Sequence, residues 1–158
     1  MAIEAVREYF SSLGMLERIH EFTVSSATVE LAAAALGVEG ARIAKTLSFL
    51  DADGGCILIV AAGDAKIDNP KYKAAFSCKA KMLTPEQVAG LTGHEIGGVC
   101  PFCNPGGVRT YLDESLRRFD TVYPAAGSAS SAIELTPDEL FALSKAAGWV
   151  DVCKGWQA

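Results

Sequence analysis

The sequence lacks most of the patterns that assign a function directly. It has no run of about 18 apolar residues, which argues against a membrane-spanning helix. Its first residues have neither the positive segment nor the apolar segment of a signal peptide. The glycine patterns of Walker and Rossmann phosphate loops are missing. Only two histidines, His20 and His94, are present, and neither lies in a nucleophile motif, so no Ser-His-Asp triad is indicated.

The composition is that of one domain of ordinary size. The chain has 158 residues, half of them apolar, which is enough for a core without disulfide staples. Five cysteines are an odd number, and without a secretion signal they are typical of reduced thiols. We therefore expect a cytoplasmic protein with a single domain over residues 1–158.

The charge is unevenly distributed. A net charge of −5 argues against a broad, non-specific nucleic-acid surface. One segment is nevertheless basic, with five lysines and a single acid, Asp68. This segment is either a solvated turn or a phosphate-binding patch. Its lysines are Lys66, Lys71, Lys73, Lys79 and Lys81.

The hydrophobic pattern predicts an α/β domain with a mixed sheet. Thr84 and Thr136 are each followed by Pro and then by Gln or Glu at the third helical position, which predicts two capped helix starts. The apolar run from Cys56 to Ala62 is typical of a strand buried on both faces. The predicted helices cover residues 3–13, 29–36 and 71–76, and two more begin at Thr84 and at Thr136, the last of them closed by Gly148. A helical turn is predicted at residues 41–44. The predicted strands cover residues 20–24, 46–50, 56–62, 108–112, 120–123 and 132–135.

Lys45 is the first candidate for a chemical role. It lies in an apolar stretch that enters a strand, so its ammonium must either snorkel to water or point into a cleft. In a cleft its charge would be partly desolvated and able to hold a phosphate or carboxylate.

The second candidate is the loop from Gly97 to Pro101. Gly97 and Gly98 allow backbone N–H groups to approach a ligand closely, and such groups can stabilise an oxyanion without a side chain. A plain turn between two strands is the alternative.

Cys100 and Cys103 form a C-x-x-C pair, which is either half of a zinc site or a redox dithiol. The sequence offers no second pair of ligands, and the following Asn-Pro-Gly-Gly prevents the helix start that usually lowers a redox thiol pKa.

Two further residues carry weaker signals. Asp64 follows the apolar strand, where functional groups often lie. His94 is near the glycine loop, and we expect it at the surface.

Taken in order, these segments resemble the YbaK and prolyl-tRNA synthetase editing-domain superfamily over roughly residues 24–152. The segments that carry the resemblance are Ala35-Leu36-Gly37, Ala44-Lys45-Thr46-Leu47, Gly93, Gly97-Gly98-Val99-Cys100-Pro101-Phe102, Ala125-Ala126-Gly127-Ser128 and Ile133-Glu134-Leu135-Thr136-Pro137.

The resemblance implies a mixed, partly barrel-like sheet surrounded by helices, and a free-standing enzyme that hydrolyses mischarged aminoacyl-tRNA without metal, cofactor or covalent nucleophile. It implies that Lys45 holds the 3′ end of the tRNA, that Gly97 offers its backbone to the ester, and that a ribose hydroxyl of the tRNA assists the water. The implied substrate-binding residues are Phe22, Asp64, Gly98, Val99, Cys100, Pro101 and Ser128, and the basic segment becomes a candidate for tRNA binding.

Three points stay open at this stage. Many relatives lack thiols at the positions of Cys100 and Cys103, so a disulfide between them that lowers activity is a further hypothesis. A non-catalytic module that binds tRNA or a synthetase, and a zinc or thiol module built on the two cysteines, are the alternative functions. The amino acid, the partner synthetase and the oligomeric state are not indicated by the sequence.

Overall fold

The computed structural model describes residues 2–94 and 98–156. Gly97, one of the two predicted catalytic residues, lies outside the described residues. The helices are α1 (Ala2–Ser12), α2 (Val29–Leu36), α3 (Asn69–Phe76), α4 (Pro85–Thr92) and α5 (Pro137–Leu143); the strands are β1 (Ile19–Glu21), β2 (Ile43–Leu50), β3 (Cys56–Ala62), β4 (Lys66–Ile67), β5 (Val108–Asp113), β6 (Tyr123–Pro124), β7 (Ser131–Ile133), β8 (Gly148–Val150) and β9 (Cys153–Lys154).

A mixed five-stranded sheet in the order β6-β2-β3-β5-β8 forms the centre of the domain. Only the β2–β3 hairpin is antiparallel, and the other three pairs are parallel. Two short antiparallel pairs, β1–β7 and β4–β9, flank this sheet. The predicted α/β fold with a mixed sheet and surrounding helices is therefore confirmed.

The core is built around β3, whose seven residues are all buried, as its continuous apolar run predicts. Helix α1 contributes Val6 and Phe10, which lie one helical turn apart and are fully buried. The ring of Phe10 packs edge-on against Phe102 of the long connection before β5. This packing fixes the base of the loop that follows residue 97.

Local capping signals are confirmed where the sequence is specific. Thr84 and Thr136 each form a complete capping box. Thr28 caps α2, and Gly37 ends it in the left-handed conformation with φ of 71°. None of the described helices is long and apolar enough to cross a membrane.

Several predicted boundaries are wrong, most clearly at the turn before β2 and at the last helix. The helical turn at 41–44 is a 3₁₀ turn over Gly40–Arg42, and β2 already begins at Ile43 because its first residues pair with β6. The last helix ends at Leu143, and Gly148 opens β8 instead of closing the helix. Strand pairs made of two residues, such as β4–β9, carry too little periodicity to be predicted from sequence.

Candidate functional site

A cavity of about 280 Å³ lies beside the first half of β2 and is called the front cavity here. Its wall is mostly small and apolar, and its polar groups come from β2, β6, β7 and the segment before α2. The apolar lining residues are Ala27, Val29, Ala32, Ile43, Ala44, Leu47, Val99, Ala125 and Ala132; the polar ones are Ser26, Thr28, Lys45, Thr46, Tyr123 and Ser131.

Lys45 is the only lining residue of the front cavity, among those described, that is a lysine, arginine, aspartate or glutamate. Its Nζ donates hydrogen bonds to the carbonyl oxygens of Ala65 and, at 3.4 Å, of Gly63. Burial lowers the pKa of Lys45 from its usual value, and the nearby Cys153 and Asp64 oppose this change. Since a lysine ammonium has three donors, one N–H remains for a ligand.

The close packing around Gly63 positions these carbonyl groups. A Cβ atom at Gly63 would lie 2.0 Å from the carbonyl oxygen of Gly40 and 2.8 Å from a methyl carbon of Val29. Only glycine therefore allows the end of β3 to approach the turn before β2 this closely.

The outer edge of β2 is open beside the front cavity. Ile43 and Ala44 pair with β6, and residues 48–50 pair with the segment around Met82. Between these two contacts, residues 45–47 have no strand partner on that side among residues 2–94 and 98–156. Lys45, Thr46 and Leu47, the three residues of this gap, all line the cavity.

Thr46 and Tyr123 are lining residues that the sequence reasoning did not select. The Thr46 hydroxyl is buried and finds no hydrogen-bond partner among the described residues. The Tyr123 hydroxyl donates to Glu134 at 2.9 Å. Thr46 could have been found from its position next to Lys45, whereas Tyr123 lies in a two-residue strand that gives no sequence signal.

The glycine loop contributes to the front cavity through Val99, which lines it. Gly98 precedes it and is buried. The opposite side of the loop faces a second cavity of about 340 Å³, called the back cavity here, which Pro101 and Cys103 line together with Tyr9 and Lys145. The loop therefore separates two cavities, and its cysteines do not line the front one.

Cys100 does not offer its side chain to the front cavity. It is fully buried, and its Sγ lies 3.6 Å from both His94 Nε2 and the carbonyl oxygen of Phe102. Burial raises the pKa of the Cys100 thiol to about 12, which makes it a poor nucleophile. Cys100, which the resemblance implies as a substrate-binding residue, is therefore not among the residues that line the front cavity.

His94 is 2% exposed, so its predicted surface position is also wrong. Its Nε2 donates to the Phe102 carbonyl oxygen at 3.1 Å, and its backbone N–H donates to Thr92. These bonds connect the end of α4 to the far end of the loop. Burial lowers the pKa of His94, which favours the neutral ring.

Asp64 forms an ion pair with a neighbouring side chain and does not line the front cavity. Arg118 binds it through two hydrogen bonds of 2.6 and 3.0 Å, and the arginine holds the pKa of this carboxyl below its usual value. Phe22 and Ser128 lie behind the cavity wall: the Phe22 N–H donates to Ser130, and the Ser128 hydroxyl donates to Ser131, which is a lining residue.

The five lysines of the basic segment do not form one cluster. Lys66 lies beyond the end of β3, near Lys45, whereas Lys81 pairs with Leu50 at the other end of β2, roughly 20 Å away along the strand. Lys71 is neutralised by Asp151 at 3.1 Å. Lys73 and Lys79 are exposed and line a third cavity between these ends.

The described residues contain no group of three or more His, Cys, Asp or Glu side chains that could hold a metal ion. The two cysteines of the C-x-x-C pair point in different directions, because the Sγ of Cys103 lies near the carbonyl oxygen of Ala5 in α1, 3.7 Å away. The described geometry therefore gives no support to a zinc or dithiol centre at this pair.

Several known proteins are similar to this chain, and three of them illustrate the likeness. A protein of Bacillus subtilis (strain 168) called the uncharacterized protein YwhH is 54% identical over 99% of this chain and all of its own length. A protein of Enterococcus faecalis (strain ATCC 700802 / V583) with the provisional name Cys-tRNA(Pro)/Cys-tRNA(Cys) deacylase EbsC is 31% identical over 74% of this chain and 72% of its own. A crystal structure provisionally described as a trans-editing enzyme for prolyl tRNA synthetase superimposes with a TM-score of 0.85, at 31% identity and with 98% of both chains covered.

The family profile described as the aminoacyl-tRNA editing domain matches residues 23–143. This match covers all the residues that line the front cavity. The chain belongs to the aminoacyl-tRNA editing domain family.

Proposed function

We propose that this chain hydrolyses the ester bond of a tRNA that carries the wrong, small amino acid, with the front cavity as the active site. The observation that carries the proposal is the half-buried ammonium of Lys45 at a small cavity with an apolar wall. An ammonium in this position suits the charged 3′ end of a tRNA, and the apolar wall suits a small side chain.

Lys45 is the main chemical group on the protein side. Two of its N–H groups are held by the carbonyl oxygens of Gly63 and Ala65, so the third has a fixed direction. It can hold a phosphate or stabilise the negative charge that develops on the ester oxygen during attack by water. The backbone of Gly97 is proposed to add a second donor, as the family resemblance implies.

The front cavity lacks an evident general base among the described residues. Its lining contains no carboxylate or histidine, so the protein side offers positioning and charge stabilisation. We propose that a hydroxyl of the terminal ribose positions the attacking water, which makes the reaction assisted by its own substrate.

Selection by size follows from the cavity wall. Five alanines line the cavity, and its volume of about 280 Å³ is below the range of most ligand sites. A larger amino acid would collide with this wall, which is the second sieve of an editing reaction. The names of the relatives favour cysteine or another small residue, proline tRNA and a partner synthetase, and we propose these as the first candidates.

The test is hydrolysis of a panel of mischarged tRNAs that includes alanyl-, cysteinyl- and phenylalanyl-tRNA. We expect turnover of at least one small aminoacyl group, no turnover of the phenylalanyl group, and strong loss of activity in Lys45→Met. Binding of the same tRNAs without any turnover would instead identify a non-catalytic module of this family.

A further inference from the structure

Two exposed lysines stand directly opposite each other in the β4–β9 pair. Lys66 and Lys154 are register partners in this antiparallel ladder, so their side chains lie on the same face, about 5 Å apart at Cβ. Like charges in this position destabilise a strand pair. The pairing of two lysines is therefore unfavourable for the fold unless an anion is present.

Lys45 extends this pair toward the front cavity. Its Nζ donates to the carbonyl oxygen of Ala65, the residue directly before Lys66. The charge of Lys66 is close enough to lower the pKa of Lys45. Lys45, Lys66 and Lys154 are thus neighbours in the fold, from the cavity lining to an exposed strand pair, and are called the lysine track here.

Four carboxylates around the lysine track are already engaged. Asp64 binds Arg118, Asp151 binds Lys71, and Asp68 caps α3. Asp113 is fully buried and accepts backbone hydrogen bonds from β9's neighbour Val152 and from the turn after β5. Glu30, on α2, is exposed and is the weakest of the charges that act on Lys45. Neither Lys66 nor Lys154 has an ion-pair partner within the described chain.

Arg118 fixes the position of the segment that carries Lys154. Its guanidinium lies 5.0 Å from the ring centre of Trp156, and its Nη1 donates to the Trp156 carbonyl oxygen at 3.2 Å. Asp64 holds the other side of the same guanidinium. The C-terminal segment is therefore held against the end of β3, and the spacing of the two opposite lysines does not depend on a free tail.

We propose that the lysine track binds the phosphodiester backbone of a base-paired RNA stem. The identity of this RNA rests on the proposed function. If the 3′ end of a tRNA enters the front cavity, the stem is the acceptor stem of that tRNA. Lysines act as point charges toward phosphates, and a track that leads into a cavity suits a polyanion whose end is bound there. Lys154 is the new residue in this assignment, since it lies far in sequence from the basic segment.

The test is binding of uncharged tRNA, measured by fluorescence anisotropy at several salt concentrations. We expect Lys66→Gln with Lys154→Gln to weaken binding at least about tenfold at low salt, and to lower the slope of log affinity against log salt by about 1.5 to 2. Lys154→Arg keeps the charge and should bind like the original chain. Thermal unfolding should be unchanged or slightly raised in the double variant, because a repulsive pair has been removed.

The matched control is Lys145→Gln, which removes one exposed lysine at the back cavity. If Lys145→Gln weakens binding as much as Lys154→Gln does, the effect is one of total charge and the proposal is overturned. Absence of binding by the original chain, or binding of AMP that depends on Lys154 as strongly as that of tRNA, also overturns it.

The outcome is separable from that of the proposed function. Uncharged tRNA has no ester, so its binding does not depend on turnover. In addition, a minimal substrate such as an aminoacyl-adenosine lacks the stem. If the proposed hydrolysis takes place, the double variant should hydrolyse this minimal substrate at the original rate while kcat/KM for the full aminoacyl-tRNA falls; an equal fall for both substrates would contradict the stem assignment.

Discussion

The front and back cavities have similar volumes, about 280 and 340 Å³, but their linings differ in kind. In the front cavity the Lys45 ammonium lies among small apolar side chains. It is next to the part of β2, residues 45–47, that has no outer strand partner among the described residues. In the back cavity Cys103, Lys145 and Tyr9 are exposed or half-buried and lie among prolines and turns. The C-x-x-C pair is the more conspicuous sequence motif, yet the active site that we propose is the cavity that the two cysteines do not line.

The largest expected effect comes from removing the ammonium of the front cavity. Lys45→Met keeps the apolar stem but removes the donor directed at the substrate, and we expect kcat/KM for aminoacyl-tRNA hydrolysis to fall about 100- to 1,000-fold. The matched change at the back cavity, Lys145→Met, should leave this rate within about twofold. Equal losses in both variants would contradict the distinction between the cavities.

A second change tests the backbone that orients Lys45 in the front cavity. Gly63→Ala places a methyl group 2.0 Å from the Gly40 carbonyl oxygen, so the turn before β2 must shift. We expect the free energy of unfolding to fall by about 1–3 kcal/mol and the hydrolysis rate to fall with it, because the Gly63 carbonyl orients Lys45. Urea unfolding and deacylation kinetics measure the two effects.

The control for this change is Gly55→Ala, where the nearest atoms lie at 3.5 Å or more. This variant should be within about 0.5 kcal/mol of the original chain. A fully stable Gly63→Ala variant with unchanged activity would show that the close approach of Gly63 to Gly40 is not needed.

Substitution of Cys100 and Cys103 tests the part of the loop that does not line the front cavity. Cys100→Ser replaces a fully buried thiol with a smaller and more polar hydroxyl, and we expect a loss of about 1–3 kcal/mol in unfolding free energy. Cys103 is exposed, so Cys103→Ser should change it by less than about 0.5 kcal/mol. Iodoacetamide should label Cys103 in the folded protein but not Cys100, as mass spectrometry of peptides would show. Loss of activity after labelling of Cys103, or a native Cys100–Cys103 disulfide that lowers activity, would support the redox hypothesis instead.

The smallest expected effect is a pH dependence from His94. Burial lowers the pKa of His94 in the folded protein, so the unfolded chain takes up a proton first as the pH falls below about 6.5. Stability should therefore fall with decreasing pH in this range, at no more than about 1.4 kcal/mol per pH unit from this one histidine. Urea unfolding at pH 5, 6 and 7 should show a shallower dependence in His94→Gln; identical slopes would assign the effect to other groups.

The sequence predicted those features that depend on local chemistry. The capping boxes at Thr84 and Thr136 and the buried strand β3 are each determined by neighbouring residues, and all three are confirmed. The α/β fold was predicted from the hydrophobic pattern, and the family from the order of several segments of which no single one was specific.

What the sequence did not predict depends on contacts between distant segments. Cys100 and His94 were expected at the substrate and at the surface, but both are buried, in contact with each other and with the Phe102 carbonyl oxygen. The opposition of Lys66 and Lys154 joins residues far apart in the chain through a two-residue ladder, for which no periodic pattern exists. The roles of Lys45 and of the lysines stay predictions, because the geometry places these residues without testing their action.

The interrupted pairing of β2 has a consequence for solubility as well as for catalysis. A long unpaired strand edge can recruit strands from other molecules and so start aggregation. Here β6 and the segment around Met82 cover β2 on both sides of a gap of three residues, residues 45–47. This gap is shorter than the mean strand length of five to six residues, so a strand from another molecule could form few backbone hydrogen bonds with it. The domain can thus leave the edge of residues 45–47 without a strand partner among the described residues at little risk of edge-to-edge aggregation.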